Sequence, residues 1–70
     1  MAAEIQEMLD EGIASLRAGN RDEARQKLMQ VIQADERNES AWLYLSEAVD
    51  SDEDRQICLE NVLTINPANE

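Results

Sequence analysis

Apolar residues recur at Ile5, Met8, Leu9, Ile13 and Leu16. Steps of three and four place them on one face of a helix over residues 4–18. Gly19 follows, the residue type that most easily turns the chain out of a helix. Asn20 with Glu23 three positions on reads as an N-cap and a carboxylate reaching back, so a second helix starts at Arg21. Ala24, Leu28, Val31 and Ile32 line its face as far as residue 35. Residues 35–38 have no apolar side chain and read as a loop. Asn38 caps a third helix carrying Ala41, Trp42, Leu45, Ala48 and Val49, over residues 39–49. Ser51 caps a fourth over 52–65, with Cys58, Leu59, Val62, Leu63 and Ile65 on one side. Asn66-Pro67 stops it, because proline cannot continue the hydrogen-bond ladder. Connections this short force successive helices antiparallel. The predicted class is all-α, two helix–turn–helix hairpins. Trp42, Leu28, Val31, Leu45, Leu59 and Val62 are the expected shared core.

The halves repeat. Leu28-Met29-Gln30-Val31-Ile32 matches Leu59-Glu60-Asn61-Val62-Leu63 at an offset of 31, while Met8-Leu9 and Gly12 match Trp42-Leu43 and Ser46 at an offset of 34. The second unit is therefore three residues shorter, a deficit the pattern assigns to its internal turn, around residues 50–54. One hairpin alone cannot bury its apolar face, so a second must cover it.

Composition narrows the class. The 70 residues make at most one domain, with two glycines, one proline and no phenylalanine, so the core is aliphatic and helical. The net charge is −10. Residues 1–38 carry eight acids and five bases, and residues 39–70 eight acids and one base, Arg55. So acidic a chain is repelled by nucleic-acid phosphates and anionic lipid. No apolar run approaches the roughly 20 residues that span a bilayer. Met1-Ala2-Ala3-Glu4 lacks the basic and apolar segments of a signal peptide. With a single cysteine no internal disulfide forms, so a cytoplasmic, reducing compartment is expected.

Candidate chemistry thins out on inspection. Asp50-Ser51-Asp52-Glu53-Asp54 begins like a calcium loop, but Arg55 stands at its glycine position and Asn61 at its terminal glutamate. Acids at a helix N-terminus are the simpler reading. Asp50-Ser51 is similar to the modified pair of acyl carrier proteins, yet Asp52 follows where those have leucine. Cys58 lies in an apolar pattern with no histidine in the chain to lower its pKa, so it reads as a structural thiol. Without histidine, no Ser-His nucleophile can form. The chain is expected to have no catalytic residue, cofactor or metal.

Three segments carry a family resemblance. Gly19-Asn20-Arg21-Asp22-Glu23-Ala24 resembles the Gly-Asn-x-x-Glu-Ala turn of tetratricopeptide repeats. Asn38-Glu39-Ser40-Ala41-Trp42-Leu43-Tyr44-Leu45-Ser46 resembles the family's inter-repeat junction, and Asn66-Pro67-Ala68-Asn69 its exit. The period near 34 is the family's too. Glu36 replaces the exit proline of the first unit, and Glu11 and Ser15 stand where apolar residues are usual. The resemblance implies repeats at 5–38 and 39–69 in one module, stacked as a short right-handed α-solenoid. It implies a non-catalytic protein-interaction module whose first helices line a concave groove. Here that groove comprises Gln6, Leu9, Asp10, Ile13 and Arg17, with Leu43, Tyr44 and Glu47. Lysines and asparagines that grip a chaperone's terminal carboxylate are missing from it. An apolar groove with an acidic rim suits an amphipathic helix or a partly basic segment. The competing expectation is a scaffold that self-associates, as a homodimer, through its open helical face. Because three repeats are commonly needed for a stable stack, the chain is expected to belong to a longer protein or to pair with another copy.

Overall fold

The computed structural model describes residues 2–68. Met1, Asn69 and Glu70 lie outside them, and with them the last position of the exit motif and of the second repeat. Four helices follow in order: α1 (Ala2–Arg17), α2 (Arg21–Ala34), α3 (Glu39–Ala48) and α4 (Asp52–Ile65). No strand occurs among the described residues. None of the helices is long and apolar enough to cross a membrane.

The helix ends explain the boundaries. At Gly19 the backbone is left-handed, with φ +86°. There Gly19 N–H donates to Leu16 O at 3.1 Å and Asn20 N–H to Ser15 O at 2.9 Å. Both bonds satisfy carbonyls that the end of α1 would leave bare. The cap expected of Asn20 does not form: its side chain accepts nothing from α2. Its carbonyl alone joins the helix, accepting from Ala24 N–H. Asn38 does cap α3, Oδ1 accepting from Ala41 N–H at 3.0 Å. Ser51 Oγ caps α4, accepting from Glu53 and Asp54 N–H.

The two hairpins end alike. Asp35 N–H donates to Val31 O and Asn66 N–H to Val62 O, both at 2.8 Å. Each side chain then accepts from the backbone two residues on, Asp35 from Arg37 and Asn66 from Ala68, both at 3.2 Å. The 31-residue offset is thus a repeat of backbone geometry, down to these local turns.

The missing three residues are not in the turn. Three residues link α1 to α2 (18–20) and three link α3 to α4 (49–51). The deficit falls on α3, which ends two residues after Ser46, whereas α1 runs five beyond Gly12. Val49 leaves α3 in an extended conformation, and no glycine is needed. The truncated end of α3 is tied from both sides: Arg25 of α2 donates to Ala48 O and Arg55 of α4 to Ser46 O. Such donors complement the negative end of a helix.

The core gathers Leu9, Ala24, Leu28, Val31, Ala41, Leu45, Ala48, Val49 and Cys58, with Val62 also buried. Leu28 and Val31 are its largest fully buried side chains. A methyl group on Gly12 would stand 2.9 Å from Leu28 Cδ2, so glycine is what lets α1 approach α2. In α3 the small residue is Ser46, buried with its hydroxyl donating to Leu43 O. Trp42 is half-buried against this core, and its indole N–H donates to Glu36 O at 2.9 Å.

Leu59 corrects the expected core. It is 40% exposed, where Leu28 is fully buried. The cause is architectural. Among the described residues α2 packs on both α1 and α3, while α4 packs on α3 alone.

Candidate functional site

The residues expected to line a groove on α1 and α3 divide in two. Gln6 and Asp10 are exposed and bonded to each other, Nε2 donating to Oδ1 at 2.9 Å. Arg17 and Glu47 are exposed as well. Leu9, expected as an exposed contact, is instead 5% exposed and part of the core. Ile13 and Tyr44 are half-buried against that core. Of the apolar positions only Leu43 stands open, at 38%. The physical reason is crowding: α1 must bury Leu9 and Ile13 because α2 and α3 both lie against it.

Exposed apolar surface collects on the other pair of helices. Met29, Ile57, Leu59 and Leu63 all lie on α2 or α4. α2 and α4 do not pack on each other. Between them opens a cleft of about 270 Å³, lined by Arg25 and Met29 of α2, Leu45 and Val49 beneath, and Asp54, Ile57 and Cys58 of α4. Met29 and Ile57, 47% and 48% exposed, form its walls. Leu45, Val49 and Cys58 are buried and form its floor.

Arg25 and Asp54 are the charged residues that line this cleft, whereas Arg21, Asp22 and Asp50 line a separate polar hollow beside the turn from α1 to α2. Arg25 pairs with Asp22 at 2.7 Å and reaches Asp50 at 3.7 Å, while Arg21 meets Asp50 at 3.1 Å. The two pairs to Asp50 link α2 to the junction of α3 and α4. Each is largely solvated and contributes at most about 1 kcal/mol. Lys27 is tied to Glu11 and Arg55 to Asp52. Burial, and then the negative charge of Asp54, push the Cys58 thiol above its ordinary value. It is held as a neutral thiol, which is a poor nucleophile. No group of three or more His, Cys, Asp or Glu that could hold a metal ion occurs among the described residues.

Sequence reasoning missed Met29 and Ile57. The signal was present: each is a large apolar residue beside its helix's expected stripe, next to Leu28 and Cys58 respectively. Large aliphatic residues gathered on one exposed surface are candidate contacts. No protein-family model, curated protein or solved structure matches this chain.

Proposed function

We propose that this chain is a non-catalytic module that binds another polypeptide, with the cleft between α2 and α4 as its contact surface. The observation that carries the reading is the pair Met29 and Ile57, large apolar side chains half open to solvent on facing walls above an apolar floor. Its volume, about 270 Å³, falls below the roughly 300–1,000 Å³ usual for small-molecule sites. It suits one large apolar side chain, the kind of anchor on which interface energy concentrates. The chain's net charge of −10 favours a partner with basic residues around that anchor, and speeds its encounter. The tetratricopeptide-like reading, with its right-handed stacking, belongs to the same proposal. It is supported by the repeated exit turns at Asp35 and Asn66. A lone buried thiol fits a reducing compartment such as the cytoplasm.

Selection from a displayed library of short helical peptides tests this. Enriched peptides are expected to share one large apolar residue flanked by Lys or Arg. They should lose binding to a Met29→Lys, Ile57→Lys double variant, both sites being exposed enough for the fold to persist. Enriched peptides that bind the double variant equally, but fail on Leu43→Lys, would return the site to the groove of α1 and α3. No enrichment at all would count against the module reading itself.

A further inference from the structure

The two second helices are copies of one surface in different surroundings. Val31 and Val62, 31 apart, are both buried, at 0% and 2% exposure. The turns that follow them make the same hydrogen bonds. Yet Leu28 is buried and its counterpart Leu59 is open, while Ile32 packs on the core and its counterpart Leu63 is 45% exposed. α2 has α3 as a second neighbour, and α4 has none among the described residues. Leu59 and Leu63 are one turn apart and share a flank of α4. At about 100° per residue they lie roughly 120–160° around the helix from Ile57, so this flank is separate from the cleft.

The second neighbour that α2 has, and for which α4 has no counterpart among the described residues, is α3. α3 is a ten-residue helix that turns small and aliphatic residues inward: Ala41 and Ala48 are fully buried and Leu45 nearly so. Charge then decides between a second copy and a different chain. Asp52, Glu53, Asp54 and Glu60 are all exposed on α4, and its single base, Arg55, is paired with Asp52. A second copy would bring a net charge of −10 against this acidic helix, where like charges oppose association.

We propose that the Leu59–Leu63 flank of α4 docks an amphipathic helix of a different polypeptide, one with a small-and-aliphatic face like that of α3 and with basic flanks. It shares with the cleft reading only the premise that this chain binds polypeptides.

The probe is a fluorescent peptide of residues 38–50 carrying Glu39→Lys, Glu47→Lys and Asp50→Lys, held helical by a lactam bridge on its exposed side. Titrated with the full chain, it should bind saturably. A Leu59→Asp, Leu63→Asp variant should weaken it by about tenfold or more, equivalent to 1.4 kcal/mol. Raising salt from about 50 to about 300 mM should weaken it further, and the unsubstituted acidic peptide should bind less well. Met29→Lys should leave it unchanged. If the Asp variant loses helical dichroism, Leu59→Gln with Leu63→Gln takes its place. Failure to saturate, or equal affinity for the flank variants, overturns the proposal. Loss with Met29→Lys and Ile57→Lys alone would leave the cleft reading standing and this one fallen. A concentration-dependent dimer that the flank variants abolish would make a second copy the occupant, which also overturns it.

Discussion

Leu28 and Leu59 occupy the same register of two similar helices and meet opposite fates. α2 lies between two neighbours and buries Leu28 completely, while α4 has one neighbour and leaves Leu59 40% exposed. In a stack of hairpins, position in the stack decides burial as strongly as residue type does. The same leucine belongs to the core in the first hairpin and to the solvent-exposed surface in the second.

The largest effect expected from this contrast is on stability. Leu28→Ala should cost about 2–5 kcal/mol, the range for a buried leucine. A domain of this size holds on the order of 5 kcal/mol, so this change should largely unfold it. Leu59→Ala should cost about 0.5 kcal/mol or less, as exposed substitutions do. Urea melts followed by helical dichroism measure both. Similar midpoints for the two variants would mean that the second neighbour of α2 does not set the cost.

The hairpins also differ at their matched small residues, Gly12 in the first and Ser46 in the second. A Gly12→Ala methyl would meet Leu28 Cδ2 at 2.9 Å and Cγ at 3.0 Å. The leucine must then leave its seat, and overpacking of this kind costs about 1–3 kcal/mol. Its counterpart Ser46 already carries a Cβ, so Ser46→Ala removes one hydroxyl bonded to Leu43 O and should cost about 1 kcal/mol or less. Equal costs at the two sites would mean that Gly12 is not a contact point.

Helix starts differ between the hairpins in the opposite sense. Ser51 caps α4 through two backbone N–H groups, whereas the Asn20 side chain caps nothing. Ser51→Ala should therefore cost about 1 kcal/mol, and Asn20→Ala less than about 0.5 kcal/mol. Thermal melts of the two variants, side by side, check the order.

Helix number, type and approximate bounds were legible in the chain because apolar spacing and turn residues agreed. Gly19, Asn38, Ser51 and Pro67 each mark a boundary by local chemistry, and local chemistry is what a sequence displays. Three features were not legible. The missing residues came out of α3 and not its turn, because Asp50 and Ser51 resemble a loop in either case. Asn20 has a cap's identity without a cap's bond, which depends on how Gly19 delivers the chain. Leu9 and Leu59 exchanged roles, since periodicity tells which face is apolar but not how many neighbours that face will have. The candidate site was the least legible part for that reason: exposure of Met29 and Ile57 follows from α2 and α4 standing apart on α3, a fact of packing.

The smallest effect expected concerns Cys58, which occupies the register of Lys27 in the first hairpin. Lys27 reaches out to Glu11, whereas Cys58 is buried at the cleft floor. Burial and the Asp54 carboxylate raise its pKa above 9.0. Well below pH 9.0 the thiol is protonated in both the folded and unfolded chain, and its contribution to stability is fully present. As pH climbs past that value the unfolded thiol ionises first, so the unfolded chain gains and stability falls, until the raised folded value is passed. The wild-type chain should therefore lose more stability between about pH 8 and pH 10 than Cys58→Ala does. Subtracting one slope from the other isolates the part that belongs to the cysteine. Alkylation at pH 8 should likewise run far slower on the folded chain than on the chain in denaturant. An equal rate in both states would mean that the cleft floor is open to solvent, and that Cys58 is a reactive group and not a packed one.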